Sequence, residues 1–196
     1  MPFNKPNLSP SPELSYLIGV LLGDGSLIHY ERHSLYGICL YAKHKGFVEK
    51  FSRVLSIVME RGKPYFVALR KDGLYYSAGY SKLLFYFLND EDNQRRVIEL
   101  YPIHFIKGFW DSEGSITINT DGGVLVKLSN SNLKLLQKIQ EMLKQLSVES
   151  SIHISVRNGT RIYSKLRKKF YTTKKNHYAL YILRRSCPRF LKLMGD

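Results

Sequence analysis

Cysteine is scarce in this 196-residue chain, which contains only Cys39 and Cys187. Two cysteines cannot build a disulfide framework, and neither sits in the paired Cys/His spacing of a zinc site. A stapled secreted scaffold and a structural zinc site are therefore excluded, and a reducing, intracellular compartment is expected. Long apolar runs are also missing. None approaches the roughly 18 residues a membrane-spanning helix needs, and the basic residues are not gathered on an amphipathic helix, so no membrane partner is expected. The opening stretch, MPFNKPNLSPSPE, has no apolar segment behind a basic start and reads as neither signal peptide nor anchor. Acidic residues are the third shortage. There are 16 Asp and Glu against 30 Lys and Arg, a net charge of +14 with histidine neutral. Residues 150–195 hold no acid at all against twelve Lys or Arg. A positive field concentrated in this way is the footprint of a polyanion binder, nucleic acid first. A solvated basic tail is the plainer reading of this segment, but its interleaved aliphatic and aromatic residues alternate as strands do.

What is present is enough apolar residue, 44% of the chain, for a packed core, and a repeat. Leu17 to Ser26 read LIGVLLGDGS and Ile106 to Ser115 read IKGFWDSEGS, at an offset of 89. Gly19 matches Gly108, Asp24 matches Glu113, Gly25 matches Gly114 and Ser26 matches Ser115. Each copy follows a helix start, Ser11-Pro12-Glu13 or Pro102. The order of elements repeats as well. The first half reads as a helix at 12–22, strands at 26–30 and 36–41, a helix at 46–59, strands at 65–70 and 74–79, and a helix at 81–88. The second reads as a helix at 103–111, strands at 115–119 and 124–128, a helix at 132–146, strands at 150–157 and 177–183, and a short helix near Pro188. Asp72-Gly73 and Asp121-Gly122-Gly123 supply hairpin turns. The expected fold is α+β, with two αββαββα halves: an extension at 1–11, a first half at 12–89, a linker at 90–101 and a second half at 102–196.

Gly19 and Gly23 leave a bulk-free stripe on the first repeated helix, and Gly108 and Ser112 leave one on the second. With Leu17, Leu21, Phe105 and Phe109 flanking them, the two helices are expected to pack on each other. Asp24 and Glu113 then close these helices, with Gly25 and Gly114 expected in the C′ position. A carboxylate there opposes the helix dipole by roughly 0.3–1 kcal/mol. One such acid reads as a local turn former. A matched pair reads as a site for magnesium, which prefers hard oxygen ligands and completes its shell with water and phosphate.

Leu17–Gly25 and Ile106–Gly114 together resemble the LAGLIDADG homing endonuclease family in its single-chain form with two motif copies, and the resemblance runs from Leu14 to Leu193. Departures are Leu22 and Asp111 at the sixth motif position, and Lys107. The resemblance implies paired motif helices at the core, antiparallel sheets forming a DNA-binding saddle, and a divalent-metal-dependent endonuclease that cuts a long asymmetric double-stranded DNA target, intron-encoded. It implies Asp24 and Glu113 as ligands of two or more Mg2+ ions, with Gly23 and Ser112 immediately before them completing the metal set. Lys43, just past the second strand, and Asn130, placed opposite it at an offset of 87, are the further catalytic candidates. Lys127 is a second basic residue near that point, and a solvated lysine remains the alternative for Lys43. His44 and His104 read as structural or surface groups.

Recognition would come from strand faces in the major groove. The first-half candidates are Ser26, Ile28 and Tyr30, Arg32 and His33 in the connecting loop, Tyr36, Ile38, Arg70 and Tyr76. In the second half they are Thr117, Asn119, Arg157, Arg161, Tyr163, Lys165, Arg167, Lys168 and Lys169, the last six on a stretch at 158–176 that reads as an elongated hairpin. The chain is expected to act as a monomer without an obligate protein partner, in the intracellular space that holds genomic DNA: cytoplasm, nucleoid or organelle. Two other readings stay open: an RNA maturase that binds intron RNA and assists splicing, and a non-cleaving DNA-binding regulator on the same scaffold.

Overall fold

The structure is a computed structural model and describes residues 5–118, 122–164 and 168–195. Asn119, Lys165 and Arg167 lie outside the described residues, as does Asp121 of the expected Asp-Gly-Gly turn. Contacts group the chain into two compact units, Met1–Ser112 and Glu113–Asp196. The fold is mixed α+β, with seven α-helices and antiparallel sheets among the described residues.

In the first unit, helix α1 (Pro12–Leu22) starts where sequence chemistry requires it. Ser11 Oγ accepts from the Leu14 amide, Pro12 occupies the first turn and Glu13 faces the positive end of the dipole. Strands β1 (Gly25–Tyr30) and β2 (Leu35–Ala42) follow, joined by a 3-10 turn at Glu31–His33. Helix α2 (Lys45–Val58), β3 (Ala68–Leu69), β4 (Tyr75–Tyr80) and α3 (Lys82–Asn89) come next. The sheet order is β1-β2-β4-β3. The core joins Leu14, Leu17 and Ile18 of α1 to Phe51 and Leu55 of α2, and to Leu84 and Leu88 of α3.

Three expectations need correction here. Residues 90–101 are not merely a linker: they form helix α4 (Glu91–Leu100). The acidic run is its N-terminal signal, since Asp90 accepts from the Asn93 amide at 2.8 Å and Glu91 and Asp92 fill the first turn. The strand at 65–70 shrinks to Ala68–Leu69 because the Tyr65 carbonyl is taken by the Ser52 hydroxyl of α2 at 2.6 Å. Gly25 and Gly114 are not helix caps in the left-handed region. Gly23 caps α1, while Gly25 and Gly114 open strands and neither has positive φ. Gly25 is needed for a different reason: a Cβ there would meet the Leu21 Cα at 2.9 Å.

Helix α5 (Pro102–Glu113) packs against α1 backbone to backbone. A Cβ on Gly19 would lie 2.2 Å from the Phe105 carbonyl, and one on Gly108 would lie 2.1 Å from the Tyr16 carbonyl. The Ser15 hydroxyl donates to the Tyr101 carbonyl just before α5, so both helices run in the same direction. This contact places α5 up to Ser112 with the first unit, which is why the units divide at 112/113 and not at the expected 101/102.

The second unit contains β5 (Gly114–Ile118), β6 (Val124–Asn130), α6 (Leu133–Gln145), β7 (Ser150–Val156), β8 (Arg161–Ser164), β9 (Lys169–Thr172), β10 (His177–Ile182) and α7 (Cys187–Met194). Its sheet order, β5-β6-β10-β7, repeats that of the first unit. Val126, Leu128, Leu180 and Ile182 are buried with Leu136, Ile139 and Leu143 of α6. The β8–β9 pair is a separate hairpin, absent from the first unit, where Asp72-Gly73 turns the chain directly with Gly73 at φ +79°. No helix among the described residues is long and apolar enough to cross a membrane.

The α1–α5 contact predicts an asymmetric glycine scan. Gly19→Val should destabilise the protein by at least about 2 kcal/mol in urea unfolding, because backbone must move to admit the side chain. Gly46→Ala, where a Cβ meets nothing within 4 Å, should be neutral or slightly stabilising.

Candidate DNA interface and acidic site

Strand register decides which side chains share a face. Ser26 pairs with Cys39, Ile28 with Gly37 and Tyr30 with Leu35, while Cys39 pairs with Ala78 and Tyr41 with Tyr76. One face of the first sheet therefore carries Ser26, Ile28, Tyr30, Tyr41, Tyr76 and Tyr80. Arg70 joins it, its guanidinium 4.8 Å from the Tyr41 ring centroid and paired with Asp72 at 3.1 Å. The opposite face is covered by α2 and α3: Gly79 abuts Leu55, and His29 and Tyr36 stack at 4.2 Å beside Phe85.

Two DNA-contact expectations fall on that covered face. Ile38 is only 1% exposed, in the core, and Tyr36 is held between His29 and the α3 aromatics. The one-residue offset of the β1–β2 register puts Tyr41, which sequence reasoning missed, in their place. Arg32 and His33 are exposed in the 3-10 turn. Burial and the neighbouring Tyr80 hydroxyl push the Tyr76 phenol far up, and burial also raises Tyr41, so both remain protonated donors at neutral pH.

In the second sheet Ser115 pairs with Lys127 and Thr117 with Leu125. Lys127 and Ser129 pair onward with Tyr181 and Ala179, and these with Ser151 and His153. The face away from α6 thus presents Ser115, Thr117, Lys127, Ser129, Ser151, His153 and Tyr181, of which Thr117 was expected from sequence to contact DNA and Lys127 was named as a second basic residue. Arg157 is exposed just past β7, Arg161 and Tyr163 project from β8, and Lys168 and Lys169 begin the return strand.

Asp24 occupies the turn between the Gly23 cap and β1. The residue is solvent-accessible, yet protein packed around the carboxyl raises its pKa above the ordinary aspartate value, with desolvation as the cause. Glu113 is the last residue of α5 and half-buried. The Asn130 side-chain amide donates to Glu113 Oε1 at 2.8 Å, and Asn130 Oδ1 accepts from the Asn132 amide at 2.9 Å. Two sequence-derived candidates are thereby brought together. Gly23 uses its amide on the Val20 carbonyl, and the Ser112 hydroxyl donates back to the Gly108 carbonyl at 3.2 Å.

The offset of 87 that set Asn130 opposite Lys43 is corrected by the ladders. Gly25 pairs with Leu40 and Gly114 with Leu128, so the strands correspond at an offset of 88 and Asn130 matches Ala42. Lys43 lies exposed beyond the end of β2. The amide that holds Glu113 consequently has no counterpart at the first acid. Hard carboxylate oxygens suit magnesium, calcium or manganese, and the raised Asp24 pKa marks a carboxylate that a cation would stabilise. Among the described residues no group of three or more His, Cys, Asp or Glu is placed to hold a metal, so water and phosphate would have to complete any shell.

A LAGLIDADG-like domain model matches residues 101–195. Homing endonuclease I-DmoI of Desulfurococcus mucosus is 26% identical over 147 residues, which cover 71% of this chain and 73% of that protein. Residues 101–195 are thus a LAGLIDADG-like domain, and the chain is similar to a homing endonuclease over most of its length. The uncharacterized protein MJ0398 of Methanocaldococcus jannaschii is 35% identical over 193 residues, 96% of this chain and 69% of that protein. MJ0314 of the same organism is also 35% identical, and the chain spans 62% of its length. The crystal structure of I-DmoI in complex with DNA and Mn shares the fold at TM-score 0.69 and 20% identity, over 94% of this chain and 97% of that one. The N-terminal LAGLIDADG domain of DUF199/WhiA does so at TM-score 0.57 and 17% identity, over 99% and 88%.

Within the second LAGLIDADG motif, Asp111 fills the sixth position and has a defined task. Its Oδ2 accepts from the Tyr16 hydroxyl at 2.6 Å and pairs with Lys50 Nζ at 2.9 Å, tying α5 to α1 and α2 two residues before Glu113. Lys50 also lies 5.1 Å from the Tyr16 ring centroid. Of the histidines, burial holds His104 below the usual imidazole value, against the edge of Tyr101.

The raised Asp24 pKa has a signed consequence for stability. A carboxyl that binds its proton more tightly when folded opposes folding above the unfolded pKa, and the penalty vanishes below it. Asp24→Asn should therefore raise the thermal midpoint at pH 7, by about 1–3 °C. That gain should disappear as the pH is taken below the carboxylate range; a gain that persists in acid would contradict the assignment.

Proposed function

We propose that this chain is a divalent-metal-dependent, site-specific double-strand DNA endonuclease, intron-encoded and acting as a monomer, with Mg2+ as its natural ion. The observation that carries the reading is the pair of motif helices. α1 and α5 run side by side in one direction through Gly19 and Gly108; Asp24 follows the Gly23 cap of α1, and Glu113 is the last residue of α5. A pure DNA binder has no use for two acids in a strongly basic chain, since each repels phosphate.

In this reading the open faces of the two sheets bind double-stranded DNA. Phosphates are held by lysine and arginine, and base edges by Ser26, Tyr30, Tyr41, Tyr76, Thr117 and Lys127. Asp24 and Glu113 would hold the ions, which when bound would supply Lewis-acid stabilisation of the scissile phosphate. Asn130 holds Glu113 in one rotamer so that Oε1 is not free to swing. Lys43 adds positive charge at the first acid. Water adds to phosphorus and releases a proton to solvent while the bond to the 3′ oxygen breaks, and the departing oxygen takes a proton from solvent.

Incubating the protein and Mg2+ with DNA that joins the exons flanking its reading frame should give a mapped double-strand cut. Asp24→Asn and Glu113→Gln should each lower the rate by at least about 100-fold while DNA affinity changes little. Asn130→Ala should slow cutting by about tenfold with binding intact, as loss of a ligand-orienting partner does. Parental rates in either acid variant would remove the metal assignment. Intron RNA binding without any DNA cutting would favour the maturase reading.

A further inference from the structure

The β8–β9 hairpin is a basic element that joins neither four-stranded sheet. All four residues of β9 are exposed, and so are Arg161 and Tyr163 of β8, so the ribbon buries little side-chain surface. A two-stranded ribbon of this kind is marginal unless it is anchored. The anchor is Thr173, only 5% exposed: its hydroxyl donates to the Arg157 carbonyl at 2.8 Å and accepts from the Thr160 amide at 3.0 Å. Gly159 and Thr160 bond the Thr173 backbone across the stem.

On this rigid stem Tyr163 pairs directly with Phe170, their ring centroids 5.1 Å apart, and Arg161 lies 4.5 Å from the Phe170 centroid on the same face. Tyr163 is 48% and Phe170 56% exposed. Exposed aromatic surface on an otherwise solvated ribbon is costly unless it has a partner. The surroundings specify that partner's charge, since no acid lies between residues 150 and 195 while Lys168, Lys169, Lys174 and Lys175 flank the rings. Aromatic rings beside cations, open to solvent, match the chemistry of unpaired bases on a phosphate backbone. Paired bases in a duplex have their faces occupied by stacking and offer nothing to such rings.

We propose that the Arg161, Tyr163 and Phe170 face of the β8–β9 hairpin is a base-stacking platform for single-stranded DNA. It is distinct from the groove-facing sheets and does not depend on the cleavage reading. The test measures anisotropy of labelled probes in EDTA, where no cutting occurs. The probes are oligothymidylate of about 15 nucleotides, an abasic deoxyribose-phosphate strand of equal length, and the matching oligouridylate. Oligothymidylate should bind at least about tenfold more tightly than the abasic strand, since stacking contributes that much per base. In Tyr163→Ala/Phe170→Ala the difference should collapse while abasic-strand binding, which reports charge and folding, is unchanged. Tyr163→Phe should keep it. Equal binding of the abasic strand and oligothymidylate by the parent chain, or an undiminished preference in the double variant, overturns the platform. A preference for oligouridylate of about tenfold or more overturns its assignment to DNA.

Discussion

The close approach of α1 and α5 is the constraint on which the rest depends. Two helix backbones touch at Gly19 and Gly108, where any side chain would meet a carbonyl at little more than 2 Å. Because the contact is between backbones, it fixes the helices with little freedom to slide. Ser15, Tyr16, Lys50 and Asp111 then add polar ties around it. Each helix leads within a few residues into an edge strand of its own sheet, so the position of β1 and β5 within their units follows from how the helices end. Gly25 serves the same economy of space by letting β1 start against the last turn of α1.

The two sheets share a strand order but not a chemistry. The open face of the first is rich in tyrosines, of which Tyr41 and Tyr76 have their phenols raised by burial, with Arg70 laid over Tyr41. That of the second carries serines, a threonine, a lysine and a histidine. Rings and phenols therefore dominate one open face, and small hydroxyls, an amine and an imidazole the other. The positive charge follows a third pattern, gathered beyond residue 150 rather than shared between the sheets.

Much of this was legible from sequence because the repeat is visible at a constant spacing and its helices carry ordinary start signals. Ser11-Pro12-Glu13 begins α1, and the glycine stripe does pack on its partner. The acidic stretch at 90–92 reads as linker from sequence, yet Asp90 caps α4 and Glu91 and Asp92 fill its first turn. Strand faces were the weak point. Hydrophobic alternation cannot distinguish Tyr36 and Ile38 from Gly37, Cys39 and Tyr41 when both sets are apolar, and only the hydrogen-bonded register separates them. The bond from Asn130 to Glu113 joins residues 17 apart across a strand turn. The residue types suggested both, but the counting error at the turn hid that Asn130 corresponds to Ala42.

That mismatch between Asn130 and Ala42 has a consequence for inheritance. An assembly of two identical subunits must express every codon change twice, once on each side of its axis, so its chemistry and its target are held to two-fold symmetry. Both repeats here are written in one reading frame. An amide could arise beside Glu113 while alanine stayed behind Asp24, and an aromatic hairpin could be inserted into one copy alone. Two copies in one chain are thus free to differ from each other. The glycine contact is the part of the repeat that close packing requires to be the same in both.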